Sequence, residues 1–211
     1  MKILSFDTSN SLASAAILSD NKLLSHNSTK ESSQQAEKLF SLIDESLKEA
    51  KLKIEEIDLI SVTNGPGSFT GVRIGLAAAL GLQIASKLRI IALTNFQVLA
   101  WQRYQENLKQ PIEVLLNARR DQVYQQKFSK NLEIIAEPSL VNIDDLKLSD
   151  DALLIGDGIA LLTKEDSSLD QYIVNVNAEL LSKATEFYWQ KKQYHDLIPL
   201  YIREPDFIKK I

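Results

Sequence analysis

Between residues 64 and 75 the chain reads NGPGSFTGVRIG, and no other segment restricts its fold as much. The string follows an apolar run over 57–63 and opens a small-residue stretch, LAAALGLQIA, over 76–85. Strand, glycine-rich turn, then helix is an order that presents backbone N–H groups and a positive helix end to an anion. Five of the seven glycines (Gly65, Gly67, Gly71, Gly75 and Gly81) fall in this window. Their concentration has a local cause: positive φ at Gly65 and Gly67, or close approach of another surface at Gly71 and Gly75. Two readings compete. The turn is a phosphate cradle or docking surface, or it is a tight turn whose helix packs small residues on a sheet. It is not a Walker-type loop, because no Lys-Ser or Lys-Thr pair follows the turn. Nor do glycines at 65, 67 and 71, with Pro66 between the first two, match the dinucleotide fingerprint.

Composition narrows the function classes. A length of 211 residues accommodates one large domain or two small ones, each with a real core. An apolar fraction of 45% with 25% charged residues is that of an ordinary globular chain. The net charge of −4 argues against a broad electrostatic grip on nucleic acid. With no cysteine, disulfides, thiolate metal sites and a cysteine nucleophile are excluded, and a reducing cytoplasm fits. No run is expected to approach the roughly 18 apolar residues of a membrane span. Lys2 leads straight into a strand-like alternation rather than a leader. The expectation is a cytoplasmic protein without a membrane segment.

Apolar spacing predicts strands over 3–6, 12–18 and 23–27, the last two a hairpin around 19–22. Ala36, Leu39, Phe40, Ile43, Leu47 and Ala50 step by three and four, which predicts an amphipathic helix over 33–51 capped by Ser32 or Ser33. A strand over 57–63, a helix over 70–88, a strand over 90–93 and a helix over 95–106 capped by Asn95 complete the first half. The polar, proline-closed stretch 107–111 is the expected boundary between domains 1–106 and 107–211. Strands are expected over 112–117, 122–128, 132–137 and 152–155, and a helix over 179–191.

Four segments, in order, resemble the TsaB (YeaZ) family of tRNA threonylcarbamoyladenosine biosynthesis. GPGSFTGVRIG over 65–75 looks like its signature, and ILSFDTS over 3–9 resembles its N-terminal strand and turn. NARRDQVY over 117–124 resembles its Asp-Ala-Arg-x-x-Glu-Val-Tyr segment, departing at Asn117 and Gln122. PLYIREP over 199–205 resembles its Pro-x-Tyr-x-Arg ending. The resemblance spans essentially the whole chain. It implies a two-domain actin-like ATPase (ribonuclease H-like) α/β fold with a reduced second domain, and the predicted β-β-β-α-β-α-β-α order agrees.

The resemblance also implies a job: a non-catalytic scaffold that binds and activates the catalytic sibling TsaD, with the ATPase TsaE, meeting tRNA mainly through that complex and forming a homodimer when alone. In related ATPases an Asp ending the first strand serves a metal, and the hydroxyl residues after it face phosphates. Asp7, Thr8, Ser9 and Ser11 stand in that place; the alternative is an Asx turn that starts the hairpin. Only Gly156 and Gly158 remain to form an adenosine-binding turn, so no cofactor is expected, with nucleotide possible only in the complex. His26 and His195 cannot supply the i, i+4 histidine pair with which TsaD holds a metal, and Ser32 stands where many members have histidine. Ser68 has no evident base to make it a nucleophile. Within the motif Gly65, Pro66, Gly67, Ser68, Phe69, Thr70, Gly71 and Arg73, the last has two candidate roles: an ion pair with Asp7 or Asp121, or contact with an anionic partner. The stripe Gly71, Gly75, Ala78, Leu82 is the expected partner interface. The competing function, from a different class, is an enzyme acting alone: a glycoprotease-like hydrolase or a small-molecule kinase.

Overall fold

A computed structural model describes residues 1–31, 34–162 and 167–203. Two mixed sheets organise them. In the first, β1 (Lys2–Asp7), β2 (Ser14–Ser19) and β3 (Lys22–Ser28) form an antiparallel meander, and β4 (Leu59–Thr63) and β5 (Arg89–Leu93) add in parallel, giving the order β3-β2-β1-β4-β5. Parallel strands joined through helices are covered on both faces, and all five residues of β4 are accordingly buried.

One face carries Leu4, Phe6, Ile17, Ile60 and Val62. It is covered by Leu39, Leu42 and Ile43 of α1 (Gln35–Glu49) and by Val72, Leu76 and Ala79 of α2 (Phe69–Ser86). The opposite face is polar at its centre. The hydroxyls of Ser5, Ser61 and Thr185 form a buried chain with separations of 2.6 and 2.8 Å. Thr185 belongs to α4 (Ala178–Lys191), and these small side chains let the helix lie close on the sheet while every hydroxyl keeps a partner.

The second sheet holds β6 (Ile112–Arg119), β7 (Gln122–Phe128), β8 (Ile134–Asn142) and β9 (Leu153–Ile155), in the order β8-β7-β6-β9. Between the sheets, Phe96 and Leu99 of α3 (Asn95–Tyr104) meet Ile112, Val114 and Ile155 on one side and Leu181 and Tyr188 of α4 on the other. A helix from the second half of the sequence thus roofs the first sheet.

Three local expectations are revised. The cap of α3 is Thr94, not Asn95: Thr94 Oγ1 accepts from Gln97 N at 3.0 Å, and Gln97 Oε1 accepts from Thr94 N at 2.9 Å, a reciprocal capping box. The strand expected over 132–137 starts later, because Leu132 takes a left-handed φ of 64° at the turn and points into the core. Finally, α2 does reach membrane-span length, with a mean hydropathy of 1.3 over 18 residues. Val72, Leu76 and Ala79 place one side of it in the core. Ser32 and Ser33, the expected caps of α1, lie outside the described residues, as do residues 204–205 of the C-terminal motif.

Candidate functional site

β1 ends at Asp7, whose side chain is 1% exposed. Its Oδ1 accepts from Ser9 N at 3.0 Å, from Ser9 Oγ at 2.6 Å and from the hydroxyl of Thr63; its Oδ2 accepts from Asn10 Nδ2 at 3.1 Å. The Asx turn expected as the alternative is therefore formed. Burial pushes the Asp7 carboxyl above its ordinary value, against the bonds from Ser9, Thr63 and Asn10 that pull it down. An acid raised on folding holds its proton longer in the native state than in the unfolded chain. Its contribution to stability is therefore full below the unfolded value near 3.8 and declines as pH rises through the folded value. Asp7→Asn is expected to remove this decline, so that the wild-type-minus-variant difference in urea-unfolding free energy falls as pH is raised from about 3.5. A wild-type-like slope in the variant would assign the effect to other carboxyls.

The glycine turn closes onto this loop. Ser9 O accepts from Ser68 N at 2.7 Å, and Thr8 Oγ1 donates to Gly71 O at 2.7 Å. A Cβ on Gly67 would stand 2.4 Å from Ser9 O, and one on Gly71 would stand 1.9 Å from Thr8 O. Gly65 has φ +105°, and the Gly65–Pro66 bond is cis. Both causes operate, positive φ at Gly65 and close approach at Gly71, but Gly67, expected at positive φ, is instead a second point of close approach. What approaches is the chain's own first loop. Two backbone carbonyls face the turn, and carbonyls repel phosphate oxygens. The N–H of Ser68 is spent on Ser9, and that of Gly71 on Ser68 Oγ at 3.2 Å.

Asn95, read in the sequence as a helix cap, locks the two loops together. Its Nδ2 donates to Ser9 Oγ and to Pro66 O, both at 2.8 Å, and its N–H donates to Gly65 O at 2.8 Å. The Thr94/Gln97 spacing could have revealed that the cap lay one residue earlier and left Asn95 free. Asn95→Ala leaves Pro66 O without its buried partner and should cost about 2 kcal/mol in urea unfolding. A loss under a few tenths of that would mean the loops hold without it.

The C-terminal segment binds the motifs to one another. His195 bridges Ala92, Asn64 Nδ2 donates to Ile198 O at 3.0 Å, and Leu200 N donates to Asn64 O at 2.8 Å. Arg203 Nη2 reaches Ala118 O at 3.0 Å and also Gln122 Oε1. Arg73 pairs with neither Asp7 nor Asp121. Its guanidinium lies 3.7 Å over the Phe69 ring, and its Nε donates to Tyr201 Oη at 2.8 Å. Asp7 is enclosed and already served by neutral donors, which leaves no access for a cation.

The stripe expected to meet a partner faces inward instead. Gly71, Gly75 and Ala78 are buried, and Leu82 packs against the core. A Cβ on Gly75 would meet Thr8 Oγ1 at 2.7 Å and Val62 Cγ2 at 3.3 Å. The glycines let α2 sit on the ends of β1 and β4. Its outer face carries different residues: Leu80 is 44% exposed and Ile84 81% exposed, and Ala77 and Gly81 are exposed as well. On α1, Phe40 is 56% exposed.

Ser68 Oγ is occupied in accepting from Gly71 N. His26 lies beside Glu179 on α4, and His195 lies at the bridge to β5. Among the described residues no group of three or more His, Asp or Glu is placed to hold a metal.

The family model for TsaD, tRNA N6-adenosine threonylcarbamoyltransferase, matches residues 22–187. The tRNA threonylcarbamoyladenosine biosynthesis protein TsaB of Buchnera aphidicola subsp. Baizongia pistaciae is 27% identical, across 96% of this chain and 98% of that protein. The chain belongs to this family, in its TsaB/YeaZ branch. A tRNA N6-adenosine threonylcarbamoyltransferase of Staphylococcus epidermidis strain RP62A is 32% identical over 50% of this chain and 32% of its own length. Among solved structures, an uncharacterized Pseudomonas aeruginosa protein with similarity to peptidase YEAZ superposes with a TM-score of 0.81 at 22% identity, covering 96% of this chain and 99% of that one. The TsaB/YeaZ fold is thus shared over nearly the full length, and it is the actin-like α/β fold expected.

Proposed function

We propose that this chain is a non-catalytic scaffold subunit in the formation of N6-threonylcarbamoyladenosine beside the tRNA anticodon. It binds and activates a TsaD-type threonylcarbamoyltransferase together with TsaE, in the cytoplasm, and meets tRNA mainly through that complex. The names of the TsaB relatives support the pathway. The observation that carries the scaffold role is the outer face of α2, where Leu80 and Ile84 stand exposed one turn apart on a helix whose other side is core. An apolar helix face left to water is characteristic of a docking surface. Phe40 on α1, which packs beside α2, extends the apolar character of this side. When the chain is alone, the same face serves for homodimerisation. The closed Asp7 loop supports the absence of a nucleotide cofactor in the isolated chain.

Mixing the purified chain with its cognate TsaD and following mass by light scattering, with tRNA modification assayed in parallel, tests this. A one-to-one species is expected, with activity only when both are present. No association, together with nucleotide or peptide hydrolysis by this chain alone, would favour the enzyme reading instead.

A further inference from the structure

A cavity of about 260 Å³ opens between the end of α3 and the beginning of β6, well away from the glycine turn. Its polar lining is Arg103, Asn107, Lys109, Gln110, Lys130 and Asn131. We propose that it is a binding site for a small phosphate monoester, with Arg103 at its buried end and Lys109 and Lys130 at its rim.

Arg103 carries the argument. Its side chain is only 4% exposed, and its Nε is buried without a hydrogen-bond partner among the described residues. The guanidinium has two contacts: its Cζ lies 3.9 Å from the centroid of the Tyr172 ring, and its Nη1 pairs with Glu106. A buried N–H with no acceptor is a standing cost, and an oxyanion that drew the shielded Nε toward the cavity would relieve it. Glu106 neutralises one charge at most. Lys109 and Lys130 have no ion pair among the described residues, and no carboxylate lines the cavity. In a chain of net charge −4, this is a local surplus of cations around a surface cavity.

Two further features define the ligand. Asn107, Gln110 and Asn131 add amide donors suited to the remaining phosphate oxygens. Ile112 and Leu153 supply an apolar wall, which favours an ester with a compact organic group over bare phosphate. The depth of Arg103 and the size of the cavity favour a terminal phosphate on a small molecule over the internal diesters of an RNA strand. The site requires no partner protein, so its test is separate from that of the scaffold role.

The experiment titrates the intact chain with phenyl phosphate, with inorganic phosphate and with a short RNA lacking terminal phosphates, each at matched ionic strength, by calorimetry and amide NMR shifts. Saturable binding of phenyl phosphate is expected, tighter than that of inorganic phosphate, with shifts at Lys109, Asn131 and neighbouring amides. The Lys109→Ala/Lys130→Ala double variant changes only exposed side chains. It should fold normally and bind at least about tenfold more weakly. Arg103→Lys keeps the charge but loses the fork, and should weaken binding by a similar factor. Absence of saturable binding, equal binding by the double variant, or tighter binding of the unphosphorylated RNA ends would each overturn the assignment.

Discussion

Gly71→Val is expected to abolish folding or to cost at least about 3 kcal/mol, a large share of the stability of a domain this size. The physical cause is a backbone collision. A Cβ at Gly71 would lie 1.9 Å from Thr8 O, and that carbonyl is held by the loop that Asp7 organises. No rotamer change relieves contact with a main-chain atom. Gly81 on the same helix is the internal control. Nothing lies within 4 Å of its would-be Cβ, so Gly81→Ala should stabilise by about 0.5–1 kcal/mol through helix propensity alone. Urea unfolding of the pair measures both. A Gly71→Val protein as stable as wild type would mean that the first loop can retreat from α2, and that the Asp7 loop is less closed than its hydrogen bonds indicate.

Ile84→Glu is expected to leave folding within about 0.5 kcal/mol of wild type, because the side chain is 81% exposed. On the proposed scaffold role it should weaken association with the TsaD partner by about thirtyfold or more, the effect of placing a charge at a central apolar contact worth at least about 2 kcal/mol. Leu80→Glu should act in the same direction. Circular dichroism melting together with light scattering of the mixture separates folding from binding. Undiminished complex formation in both variants would move the interface off this face of α2. Large substitutions at Gly75 or Ala78 are not an equivalent test. Both are buried, Gly75 directly against Thr8 and Val62, so their loss of binding would follow loss of folding.

Much of the fold was legible in the residues alone. Alternating and three-four apolar spacing located the five strands of the first sheet and its helices to within a few residues, because burial of one face imposes that period on the sequence. The motifs that carried the family resemblance also proved to be spatially connected, with the C-terminal segment joining Asn64 in the glycine loop to Ala118 and Gln122 in the β6–β7 hairpin. The second half was harder to read, since several of its left-handed positions, Arg119, Arg120 and Leu132 among them, are residues that do not advertise a turn.

The residues alone fix the order of strand, glycine turn and small-residue helix, and they offer close approach at Gly71 and Gly75 as one of two causes for the glycines. What approaches them depends on how the chain packs in three dimensions. Periodicity shows that a helix has a small-residue stripe but not which neighbour fills it, and α2 is apolar on nearly all sides. The contact of Thr8 with Gly71, made across 63 residues of chain, assigns the stripe to the core. It leaves Leu80 and Ile84, which no glycine spacing singled out, as the face open to a partner.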